Sequence, residues 1–183
     1  MDKIKLAAGI ASAALLAGSV YMFLNMPVSA SVAEEKSFYS VGKERSAEEV
    51  AEINALARML YGEARSVKST TEKAACVWVV LNRVDDPRWP DNVVDVLSQR
   101  LQFGGYSAVN PVETDLRILA ADVYDRWTAE KAGADEGAVM RVVPSDYFFW
   151  RGDKTAEHNW FRKYFDDYRG ETHSWGLASP YED

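Results

Sequence analysis

The stretch LARMLYGEARS, residues 56–66, carries a run of helix-spaced apolar residues that leads into a glutamate. Glu63 follows Leu56 and Leu60 at helical intervals, so on a helix it projects along the face those side chains occupy. A carboxyl group in such a place is either a solvated residue of a fraying last turn or an acid held partly out of water. Desolvation raises the pKa of a carboxyl group and keeps a proton available near neutrality. An acid of that kind suits reactions that must protonate a leaving oxygen, glycosidic cleavage among them.

Other chemistries find fewer residues to work with. The histidines are His158 and His173, and the one cysteine is Cys76. There is no His-Glu-x-x-His, no Cys pair and no Gly-x-Ser-x-Gly elbow, which argues against metal-dependent hydrolysis and cysteine peptidases. FGGY at 103–106 lacks the lysine and helix start of a phosphate loop. No metal and no cofactor is therefore expected. Cys76 cannot form an intramolecular disulfide, and within AACVWVVL it reads as a buried, inert thiol.

Composition narrows the partners. The chain has 183 residues and a formal charge of −7. Removing residues 1–30, with Asp2, Lys3 and Lys5, leaves a body one unit more negative still. That balance argues against nucleic acid, and against loose charge-driven adhesion to any anionic polymer. Six Trp and nine Tyr leave carbohydrate open, since aromatic rings stack on sugars, although most aromatics fill cores.

The elements that would position Glu63 are mainly helical. SAEE at 46–49 is a capping box, and Val50, Ile53, Ala57 and Leu60 come after it at helical spacing. A second box, STTE at 69–72, opens a helix through KAACVWVVLNRV that is apolar nearly all round and reads as the buried centre. DDPRWP makes a stiff turn, DNVVDVLSQ a short helix from near Asp91, and RLQFGGYSAVN a loop. Asn110-Pro111 with Glu113 starts a helix striped by Leu116, Leu119, Val123 and Trp127. From residue 138 onward, AVMRVVPSDYFFWRG has strand-like stretches. The fold class read from these patterns is mainly α (α+β): a single domain over 46–183 with a few short late strands.

The front end reads separately. Lys3 and Lys5 precede an uncharged run from Leu6 to Ala33, with Val28-Ser29-Ala30 as a cleavable small-residue pattern. Residues 1–30 are thus a signal peptide or a signal anchor, and 31–45 a polar linker. A Gly/Ala-rich segment of this kind also resembles the signal-anchor-release segments of some phage lysis enzymes. In each case the body is exported and faces outward, with the membrane a partner only where the segment is kept.

LARMLYGEARS, EKAACVWVVLNRVDDPRWPDNVVDVL and the later QF together resemble the cell wall hydrolase family of spore cortex-lytic enzymes, which also occur in phages. The family's opening motif matches Ala57, Arg58 and Gly62-Glu63-Ala64, and its central helix end matches Leu81-Asn82-Arg83-Val84. Gln102-Phe103 matches its Gln-Phe. Gly104 stands where a serine usually comes next, and the nearest serine is Ser107. DYFFW at 146–150 resembles its late aromatic strand, while ETHSW, with His173 and Trp175, matches the terminal motif loosely. The resemblance spans residues 50–176 and is strongest over 56–103.

That resemblance implies a lysozyme-like fold that cleaves peptidoglycan between N-acetylmuramic acid and N-acetylglucosamine, with Glu63 as the catalytic residue. A hydrolytic muramidase would need a second carboxylate, for which Asp85, Asp86, Asp91 and Asp95 are the candidates. A lone glutamate would instead act first as acid and then as base on the C6 hydroxyl, giving a 1,6-anhydro sugar as lytic transglycosylases do. For substrate binding the candidates are Gln102, Asn82, Phe103, Tyr61, Tyr147, Ser107, Trp150 and His173. Arg83 is expected to neutralise an acid or cap a helix end. The expected partner is the glycan strand, bound by a monomer. Rival readings are a glycan-binding or structural protein with a dead site, and a peptidase or amidase acting on the cross-bridge.

Fusing residues 1–40 to a reporter active only outside the cytoplasm is expected to yield an active reporter. A silent but fully expressed fusion would defeat the export reading.

Overall fold

Ser46 opens the first helix through the reciprocal cap that SAEE suggests. In the computed structural model, which describes residues 43–152, 159–164 and 177–181, the Ser46 Oγ accepts the Glu49 N–H at 3.1 Å. Glu49 Oε2 in turn accepts the Ser46 N–H at 2.7 Å. Helix α1, Ala47–Glu63, buries Ile53, Leu56, Met59 and Leu60. Just ahead of it, Lys43 and Arg45 converge on Asp125, with Arg45 forming two hydrogen bonds to the carboxylate.

Helix α2, Thr70–Asp85, is the central element. Every side chain from Ala74 to Arg83 is buried, as an apolar run on all faces requires. Ser69 caps it by accepting the Glu72 N–H at 3.1 Å. The expected reciprocal half does not form. Glu72 is fully buried, and its carboxylate turns inward to accept the Asn159 N–H at 2.6 Å, joining the first turn of α2 to the late hairpin.

Three further helices complete the helical part. Helix α3, Val93–Leu97, starts behind Asn92, whose Oδ1 accepts the Asp95 N–H, slightly later than expected. Helix α4, Thr114–Lys131, packs against α1 and α2, and its Leu116, Leu119, Val123 and Trp127 stripe is buried. Helix α5 is one turn, Glu136–Val139, capped by Asp135. The strand-like reading of AVMRVV fails here. Arg126 donates to the Val139 carbonyl, and Met140 adopts a left-handed backbone (φ 50°), which ends regular structure.

Strands β1, Phe149–Gly152, and β2, Asn159–Arg162, form an antiparallel hairpin pairing Phe149 with Arg162 and Arg151 with Trp160. The DDPRWP turn supports it: Trp89 stacks on Phe148 at 4.9 Å, and the Arg88 guanidinium lies over both rings. The domain is thus mainly helical with two short late strands. The sequence-derived signal or anchor segment 1–30, linker residues 31–42, His158, His173 and Trp175 lie outside the described residues. Among the described residues no helix is long and apolar enough to cross a membrane.

One buried carboxylate ties three helices together. Glu52 of α1 accepts the Val93 N–H at 3.0 Å, at the start of α3, and the Tyr124 hydroxyl of α4 at 2.6 Å. Burial, and then the Glu52 carboxylate, push the Tyr124 hydroxyl above its ordinary pKa, so it remains a donor. Tyr124→Phe is therefore expected to destabilise the fold by about 1–3 kcal/mol, the usual cost of leaving a buried polar group short of a partner. Urea unfolding of the two proteins at neutral pH checks this.

Candidate active site

Glu63 is the last residue of α1, and a contact made by its neighbour sets its orientation. Gly62 lies against Gly105 of the 101–110 loop so closely that a Cβ at either residue would overlap the other's carbonyl oxygen. With no side chain between them, the two backbones touch. The Gly105 N–H then donates to Glu63 Oε1 at 2.5 Å. Asn110 secures the loop from behind, donating to the carbonyls of Arg58 (3.1 Å) and Gly105 (2.8 Å), while Arg58 Nε donates back to the Asn110 carbonyl. One oxygen of Glu63 is held, and the side chain faces a cleft of about 150 Å³.

The cleft runs between this loop and the hairpin. Gln102, Phe103 and Trp150 line it with Glu63, and the Phe103 and Trp150 rings meet at 5.4 Å. Arg83, Arg151 and Arg162 line it as well. Arg83 is buried, but among the described residues it neither pairs with an acid nor caps a helix: Nε donates to the Phe148 carbonyl at 2.7 Å, and one terminal nitrogen to Gln102 Oε1 at 3.2 Å. Burial lowers its pKa to about 10, still far above neutrality, so the group stays cationic. A larger hollow of about 550 Å³ lies beside α5, but its Glu130 is ion-paired with Arg141. Among the described residues lining the smaller cleft, Glu63 is the one carboxylate.

The other sequence-derived candidates lie elsewhere. Asn82 is buried; its amide nitrogen donates to the carbonyls of Pro144 and Tyr147, and its oxygen accepts from Arg141. It holds the 144–147 segment on α2 and does not line the cleft. Tyr147 is buried beneath Lys163, Tyr61 carries Arg65 over its ring, and Ser107 caps a local turn through the Val109 N–H. His173 is outside the described residues. Asp85 accepts from Trp127 Nε1 and Lys131, Asp86 from Arg88, and Asp95 from Asn92. None of these three, nor Asp91, lines the cleft. Cys76 is fully buried, and its thiol is pushed up by burial and then by the carboxylates of Glu72 and Glu63.

Sequence patterns alone do not single out Gly105, Asn110, Arg151 or Arg162. FGGY shows two glycines in a loop, and nothing in the sequence names Gly62 as the partner of either.

Residues 67–171, more than half of the chain, match the family described as Cell Wall Hydrolase. The chain belongs to the Cell Wall Hydrolase family. No curated protein and no solved structure matches it. Membership of the Cell Wall Hydrolase family supports an enzymatic activity on the wall. The matched segment contains α2, the loop and the hairpin, and Glu63 lies just ahead of it.

Gly105→Ala is expected to force the loop away from Gly62, to cost about 1–3 kcal/mol as overpacking does, and to slow wall clearing at least about tenfold by releasing Glu63. Gly104→Ala is the control. A Cβ there meets nothing within 4 Å, so stability should stay within about 0.5 kcal/mol. Turbidity assays and thermal melts of both variants check the pair.

Proposed function

We propose that the protein cleaves peptidoglycan glycan strands between N-acetylmuramic acid and N-acetylglucosamine, with Glu63 as the catalytic acid. The observation that carries this reading is Glu63, the one carboxylate among the described residues of an arginine- and aromatic-lined cleft, with one oxygen fixed by the Gly105 N–H. Glu63 would protonate the glycosidic oxygen as the bond to the muramic C1 breaks. Deprotonated, it would then take the proton of the C6 hydroxyl as that oxygen closes on C1. The products are a 1,6-anhydromuramic end and a free N-acetylglucosamine hydroxyl, with no water consumed.

The bonding of the aspartates supports this route over hydrolysis. Asp85, Asp86 and Asp95 are engaged with partners of their own and, like Asp91, lie away from the cleft. Phe103 and Trp150 offer apolar faces for sugar rings, and Gln102 an amide for an N-acetyl group. A lysozyme-like architecture fits the mainly helical domain with its small late hairpin. Export by residues 1–30 would bring the domain to its substrate.

Glu63→Gln keeps the volume of the side chain but has no acidic proton. It is expected to reduce cleavage by about 10²–10⁴-fold with the fold intact. Mass spectrometry of peptidoglycan digested by the parent protein should show 1,6-anhydro ends. Reducing muramic ends would replace the transglycosylase route with hydrolysis. New amino groups without glycan cleavage would indicate a peptidase. A folded Glu63→Gln protein retaining more than a tenth of parental activity would remove Glu63 from the mechanism.

A further inference from the structure

The donor that holds Glu63 sits on a peptide unit with little local constraint. Its N–H belongs to the link between Gly104 and Gly105, and neither flanking residue has a Cβ to restrict rotation. Something outside the link must therefore fix it, and Asn110 is placed to do so. Its side-chain amide commits both N–H groups to backbone carbonyls, Arg58 of α1 at 3.1 Å and Gly105 at 2.8 Å. Two acceptors at that end require the nitrogen there, so chemistry sets the orientation of the amide. The backbone of Asn110 is fixed in turn. Its N–H donates to the Ser107 carbonyl at 3.0 Å, its carbonyl accepts from Arg58 Nε at 3.2 Å, and Pro111 disfavours a helical conformation for it. The amide nitrogen also lies 2.9 Å from where a Gly62 Cβ would stand, against the glycine contact itself. Asn110 does not line the cleft.

We infer that Asn110 is the positioning residue of the acid: it clamps Gly105 to α1, so that the Gly105 N–H keeps Glu63 Oε1 as its acceptor and leaves Oε2 to exchange the proton with the glycan. This rests on the glycan-cleavage reading and deepens it. A carbonyl oxygen accepts an N–H better than a protonated hydroxyl oxygen does, so the bond to Oε1 favours the acid form with its proton on Oε2. That one oxygen then gives a proton to the glycosidic oxygen and takes one from the C6 hydroxyl, without the carboxyl group turning over between the two steps. A flip of the Gly104–Gly105 link would free both oxygens and spread the acid over several orientations. Loss of Asn110 therefore slows the chemistry and leaves binding of the polymer unchanged.

Two readouts separate this role from a merely structural one. The first is hydrogen exchange of the Gly105 amide, followed by NMR well below the melting temperature of each variant. The amide should be protected in the parent and exchange at least about tenfold faster in Asn110→Ala. The second is kinetics on soluble glycan strands, where Asn110→Ala should lower kcat about 10- to 100-fold and leave KM within about twofold. Asn110→Ser keeps one hydroxyl donor and should fall between the parent and Asn110→Ala. Asn110→Asp keeps the size but has no donor at neutral pH, and should lose at least as much as Asn110→Ala. Unchanged Gly105 exchange in Asn110→Ala, or a loss carried by KM, overturns the positioning role. If Asn110→Ala does not fold, Asn110→Ser is compared with Asn110→Asp, and equal exchange and equal kcat in the two overturns it. Faster Gly105 exchange in a series whose parent cleaves no glycan leaves the clamp standing and removes the catalytic reading instead.

Discussion

A helix with no polar face has to be surrounded, and that requirement organises this molecule. From Ala74 to Arg83 the central helix presents no side chain to solvent, so α1, α3, α4 and the hairpin must all pack around it. The cleft is a by-product of that enclosure. It opens where the end of α1 and the 101–110 loop on one side meet the hairpin on the other, above the C-terminal half of the buried helix. Arg83, the last buried residue of that run, reaches out of the core to hydrogen-bond both walls, at Gln102 and at Phe148.

The polar groups inside this core act as cross-links between segments distant in sequence. Glu52 connects α1 to α3 and α4, and Glu72 connects α2 to the second strand. Asp122 accepts from Arg126 of its own helix and from the Tyr181 hydroxyl near the end of the chain. Each buried charge has a desolvation cost that its hydrogen bonds must offset. In return, each specifies one arrangement of elements that apolar packing alone would leave free to slide.

Local rules made much of this legible in the sequence. The Ser46 cap, the buried helix and the Leu116–Trp127 stripe depend on residues within a few positions of one another. What failed depended on partners far away. Glu72 looked like half of a capping box until the Asn159 N–H competed for it. Asn82 looked like a sugar-facing amide, but its partners are carbonyls more than sixty residues further along. AVMRVV had the composition of a strand, yet Arg126 claimed one of its carbonyls and a left-handed Met140 broke it. At the cleft, Glu63 was visible because it extends an apolar stripe. The backbone group that holds it was not, because Gly105 belongs to a loop whose contact with Gly62 leaves no periodic trace.

That glycine contact also bears on how the enzyme could diversify. Two abutting backbones offer no side chain for selection to enlarge, shorten or recharge, and an altered residue at either position displaces main chain and so disturbs the hold on Glu63. The wall that orients the acid is therefore evolutionarily inert. Heritable change in substrate preference would have to accumulate across the cleft, on strands whose outward-facing residues can be exchanged one at a time.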